Sequence, residues 1–86
     1  MPKFLDHHKL PMMDPEKKTA FLEQIRSQVA SHKADSNGVT ILNVFMGDGQ
    51  LWGYSDAPNA GSVVKSHEQM GMKISAKDVT EVTPVA

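Results

Sequence analysis

Residues 39–55 read as a β-hairpin, and a hairpin in the middle of so short a chain leaves few folds open. V-T-I-L-N-V-F-M, residues 39–46, is β-branched and apolar. G-D-G-Q follows it, and L-W-G-Y-S, residues 51–55, returns. An Asp-Gly pair between two such runs is a strong hairpin signal.

The flanks of the hairpin read as helices. Before it, Asp14 is a good N-cap, Pro15 suits the first helical position, and Glu16 favours the positive helix end. Ala20, Phe21, Leu22, Ile25 and Val29 recur at helical spacing, and Glu16, Lys17, Glu23, Gln24, Arg26 and Ser27 take the opposite side. This helix is expected to run to about residue 32 or 33, where A-D-S-N-G breaks it. After the hairpin, Asn59 is a plausible cap for a helix over residues 60–70, and Gly71 stands where a left-handed residue ends one. Residues 3–10, closed by Pro11, read as a first strand. Residues 78–85 read as a last strand, in which Pro84 suits a sheet edge.

The order is β-α-β-β-α-β. Two interleaved right-handed β-α-β crossovers give the ferredoxin-like α+β sandwich, a four-stranded antiparallel sheet in the order 4-1-3-2 with two helices on one face. Strands 1 and 3 are expected to be central and parallel neighbours, with strand 4 at an edge. Residues 1–86 form a single domain with no internal repeat.

Composition narrows the function. A chain of 86 residues buries roughly 60–65 % of its surface and is thinly stabilised alone. It has no cysteine, which excludes disulfides and thiolate zinc sites. A net charge of −1 and a pI near 6.4 provide no basic footprint for nucleic acid and no polybasic membrane patch. No segment approaches membrane-span or signal-peptide character, so a cytoplasmic location is the expectation. Strand 2 carries Val39, Ile41 and Phe45 on one side and Leu42, Val44 and Met46 on the other. A solvated sheet face alternates apolar with polar residues. The expected cover for the second face is therefore a second copy of the chain, sheet against sheet or edge to edge, giving a two-fold homodimer; the alternative is simple exposure.

The chemistry concentrates in D-H-H, Asp6, His7 and His8 of strand 1. Side chains alternate across a strand, so Phe4, Asp6, His8 and Leu10 share one face while Leu5, His7 and Lys9 share the other. His67 falls at i+4 from Val63, i+3 from Val64 and i−3 from Met70, on the stripe of helix 2 that meets the sheet. Either Asp6 with His8, or His7 alone, then lies near it. The first pair makes the better site because a carboxylate comes with it. Imidazole and carboxylate suit nickel, zinc, copper or iron, and two His with one carboxylate is also the composition of the non-haem iron facial triad. A satisfied core histidine donating to Asp6, with no metal, is the simpler alternative. His32, near the end of helix 1, reads as a helix-dipole partner.

Other features carry less. Trp52 and Tyr54 share one face of strand 3 and either pack a core or interface or form a pocket wall, with Phe4 as a further pocket residue. The methionines are scattered and form no soft metal cluster. No helix follows the turn at residues 47–49, so it is no phosphate loop. D-H-H also names a phosphoesterase motif, but that family's further metal-binding motifs are missing. No serine sits in a strand-turn-helix elbow.

Taken together, M-P-K-F-L-D-H-H, Ala57-Pro58, H-E-Q-M-G from His67, and E-V-T-P-V from Glu81 resemble a family of small bacterial ferredoxin-like proteins of largely unknown function that includes a nickel-binding protein. The resemblance implies a homodimer and assigns Asp6, His8, His67 and Glu68 to the nickel-associated features. Thr40 and Asn43 stand on strand 2 where the nickel-binding relative has histidines, and His7 replaces a small apolar residue, so the metal is left open.

Two functions follow. The first is a small dimeric protein that holds nickel or another borderline divalent ion for sequestration or sensing, with His8 and His67 as ligands, Asp6 as ligand or orienting partner, and Glu68 and His7 as further candidates. The second is a cofactor-free monooxygenase or isomerase of the dimeric α+β barrel type, with His8 or His67 as general base and Trp52 and Tyr54 binding the substrate. A cavity beside the histidines favours the enzyme, and a filled core favours the metal or a purely dimerising domain.

Overall fold

Short-range polar contacts set the ends of both helices. Asp14, in extended conformation, accepts at Oδ1 from the Lys17 N–H at 2.8 Å, and Pro15 opens helix α1, Pro15–Ser31. His32 ends it with φ of 52°. Asn59 accepts from the Ser62 N–H at 2.9 Å and opens helix α2, Ala60–Gln69. Gly71 follows with φ of 82°, as its position predicts. The computed structural model describes residues 1–86.

Four strands complete the chain: β1, Lys3–Lys9; β2, Thr40–Gly47; β3, Gln50–Asp56; and β4, Val79–Val82, preceded by a 3-10 turn at Ala76–Asp78. Asp48 and Gly49 take φ of 51° and 70° in the β2–β3 turn. Two successive positive φ values match the right-handed twist of the flanking strands, which Asp-Gly adopts at little cost. β4 is shorter than the sequence suggests and ends before Pro84, which therefore lies outside the ladder.

The sheet order β2-β3-β1-β4 is the predicted ferredoxin-like order read from the other edge. Every neighbouring pair is antiparallel, including β1 with β3. The expected parallel pairing of these central strands is corrected by connectivity. The crossover through α1 makes β2 parallel to β1, and the hairpin then reverses β3 against both.

A second correction concerns β2. Its register against β3 shifts between Ile41 and Asn43, leaving Leu42 as an extra residue. Asn43 Oδ1 accepts from the Val44 N–H at 2.9 Å at this irregularity. The bulge resets the alternation. Ile41 and Val44, expected on opposite faces, both turn toward the helices, while Asn43 and Phe45 turn outward beside Tyr54 and Trp52.

The interior is uneven. Phe4, Val39, Ala57, Val63 and Val79 form a buried cluster, with Ala60, Val64 and Ile74 packed against it. Helix α1 packs mainly over β2 and α2 over β4. Between them, against β1 and β3, lies a cavity of about 260 Å³. The outer sheet face bears Leu5, His7, Phe45, Trp52 and Tyr54, of which Phe45 is 55 % exposed. No helix is long and apolar enough to cross a membrane.

Candidate metal centre

Alternation along β1 turns Phe4, Asp6 and His8 toward the helices. Phe4 joins the buried cluster. Asp6 is 2 % exposed and pairs across the sheet with Gly53. A Cβ at position 53 would stand 2.6 Å from Asp6 Oδ2, so only glycine lets the carboxylate lie against β3. His8 follows on the same face, beside Leu51. From above, Val63 anchors α2 with no exposed surface, and His67, one turn later, reaches the same place.

The two imidazoles are oriented in the same way. His67 Nδ1 lies 2.8 Å from the Val63 carbonyl oxygen, and His8 Nδ1 lies 2.9 Å from that of Lys9. A carbonyl only accepts, so each Nδ1 carries the proton and donates. Each Nε2 is then turned on the same carboxylate oxygen, Asp6 Oδ1, at 3.1 Å from His67 and 3.9 Å from His8. The rings meet edge to face with centroids 5.2 Å apart.

This leaves a definite electrostatic requirement. With Nδ1 as donor, a neutral His67 would aim its Nε2 lone pair at a carboxylate oxygen. A cation must lie between them, either a proton on Nε2 or a metal ion. The His67 pKa is raised accordingly. Burial, the largest single influence, pushes it down, but the hydrogen bond and charge of Asp6 and the Val63 carbonyl together outweigh burial.

The donor atoms of Asp6, His8 and His67 all lie within 4.8 Å of one another. Ligands about 2.0–2.2 Å from a zinc-like ion stand roughly 3–4 Å apart, so small side-chain adjustments close the set. Metal-bound histidines typically give their other N–H to a carbonyl or carboxylate, as both do here. Three protein ligands leave coordination positions open, and all three residues line the cavity.

The remaining predicted site residues lie elsewhere. His7 faces the outer side of the sheet and stacks on Trp52, with centroids 5.0 Å apart and planes at 17°. Glu68 is exposed on α2, outside the cluster. Trp52 and Tyr54 share the outer face and do not line the cavity, and neither does Phe4. Register is the reason: Trp52 stands opposite His7, so it takes the parity of His7 and not of Asp6.

The cavity instead brings in Gln28, Lys33, Asp35 and Ser66, together with Gln24, whose helical spacing predicts a solvent-facing side chain. Asp35 accepts from the N–H groups of Asn37 and Val39 and from the Ser66 hydroxyl, tying the entrance of β2 to α2. Gln28 lies at i+3 from Ile25 on the inner side of α1. Helical spacing marks Gln28 on α1 as inward-facing in the same way that it marks His67 on α2.

No protein-family model and no curated protein matches the chain. Among solved structures it is similar to SCO4226 from Streptomyces coelicolor A3(2), at 21 % identity over 98 % of this chain and 99 % of that one, with a TM-score of 0.64. A likeness at this identity establishes a shared fold.

Proposed function

We propose that the chain is a small metal-binding protein in which Asp6 Oδ1, His8 Nε2 and His67 Nε2 hold a borderline divalent ion such as nickel or zinc. One observation carries the reading. Two imidazoles from opposite ends of the chain each commit Nδ1 to a backbone carbonyl and turn Nε2 on one buried carboxylate oxygen. The resemblance of the D-H-H and H-E-Q-M-G stretches to a family with a nickel-binding member supports it. The role is sequestration or sensing, and the protein works as a homodimer joined through its outer sheet face, where Leu5, Phe45, Trp52 and Tyr54 lie uncovered by helices.

Titration of tag-free protein with nickel and with zinc tests this. His67→Ala is expected to abolish tight binding, while Glu68→Ala and His7→Ala stay within about twofold of wild type, since neither side chain reaches the cluster. Unchanged binding by His67→Ala rejects the site.

The cavity favours a second reading, an enzyme in which His8, its Nδ1 committed to the Lys9 carbonyl and its Nε2 3.9 Å from Asp6 Oδ1, acts as a general base. Turnover that persists after chelation and is lost in His8→Gln would select it over the metal protein.

A further inference from the structure

We propose that the cavity between the helices and the sheet binds a small hydroxylated ring compound of the phenol class, whose O–H donates to Gln28 Oε1. Gln28 Oε1 is buried and has no hydrogen-bond partner, and Gln28 lines this cavity. Buried side-chain oxygens are ordinarily paired, and an unpaired one is costly. A ligand that donates here removes that cost.

The walls define the rest of the occupant. Ile25, Val39, Ile41, Val44, Leu51 and Met72 supply an aliphatic and thioether surface, and polar side chains, the imidazoles of His8 and His67 among them, make up the rest of the lining. Thioethers adapt to shape and pack well against aromatic rings, and Met70 joins Met72 at this cavity. At about 260 Å³ the space is slightly below the ~300–1,000 Å³ of drug-sized sites, which suits a single substituted ring. Ile41 and Val44 both reach it because the bulge at Leu42 resets the face of β2. The inference deepens the metal reading, because Asp6, His8 and His67, which would hold the ion, line this same space. The contact with Gln28 is independent of the ion.

Methyl NMR of protein labelled at methionine and isoleucine, titrated with phenol and with toluene in the metal-free and zinc-loaded states, tests the proposal. Phenol is expected to shift the Met72 and Ile25 methyls saturably and to leave Met1 and the fully exposed Met12 unmoved. Phenol should bind roughly threefold to tenfold more tightly than toluene, the worth of one hydrogen bond. Gln28→Leu should erase that preference while keeping toluene binding. Absence of saturable shifts with either compound, which would leave the cavity to water, overturns the proposal. So does equal affinity of the wild type for phenol and toluene, a criterion that stands even if Gln28→Leu fails to fold. The two readings separate cleanly. Phenol shifts in protein that does not bind zinc reject the metal alone, and zinc binding without phenol shifts rejects the ligand alone.

Discussion

His67 Nε2 lies 3.1 Å from Asp6 Oδ1, across 61 residues of sequence, while the other nitrogen of the same ring is committed to the Val63 carbonyl. The ring cannot rotate to avoid the carboxylate without giving up the carbonyl. A positive charge between Nε2 and Oδ1 therefore completes this contact, and the properties of the site follow from whether a proton or a metal supplies it.

With a proton there, the metal-free protein should be more stable on the acid side of neutrality. The folded-state pKa of His67 is raised above its ordinary 6.5. The stabilisation is thus full below pH 6.5 and is lost as the pH rises through the raised folded value. Thermal melting of chelator-treated protein at pH 6 and at pH 8.5 should give the higher midpoint at pH 6. Asp6→Asn removes the carboxylate that holds the proton and should abolish the acid-side advantage. An unchanged pH profile in that variant would remove Asp6 from the account.

Metal binding has to displace that proton. Calorimetry of zinc binding near pH 6.5, in buffers of differing ionisation enthalpy, should show net proton release, and the apparent affinity should rise with pH. Zero release would mean that the ion binds away from His67.

Gly53 is the counterpart of Asp6 on β3, and its missing side chain is part of the site. Gly53→Ala places a carbon 2.6 Å from Asp6 Oδ2. The carboxylate or the strand must yield, at a cost of about 1–3 kcal/mol, typical of overpacking. Urea unfolding should show that loss, and zinc titration should show weaker binding. Gly49→Ala meets nothing within 4 Å, so it is the control: it strains the turn at φ of 70° but should leave zinc affinity intact.

The outer sheet face is separate from the Asp6–His8–His67 cluster and should be separable by mutation. Light scattering should find a dimer for the wild type and a monomer for Trp52→Glu, which places a charge beside Tyr54 and Phe45. Zinc affinity should change little, because Trp52 and Asp6 occupy opposite faces. A monomeric wild type would leave Leu5, Phe45 and Trp52 as ordinary exposed apolar surface.

Local chemistry was legible from the sequence alone. Asp14 and Asn59 as caps, Asp48-Gly49 as the hairpin turn, and the apolar stripes of both helices depend on contacts within a few residues, so they determine the element order and with it the sheet order. The pairing of Asp6 with His8 on one strand face, and the inward position of His67 on α2, came from the same periodicities. What these periodicities do not contain is parity between elements and volume between layers. Period two shows that Trp52 and Tyr54 share a face; only the register opposite His7 decides that it is the outer one. The bulge at Leu42, the close approach of Asp6 to Gly53 and the space left around Gln28 arise where separately formed elements meet. There long-range packing, and not local propensity, sets which side chains touch.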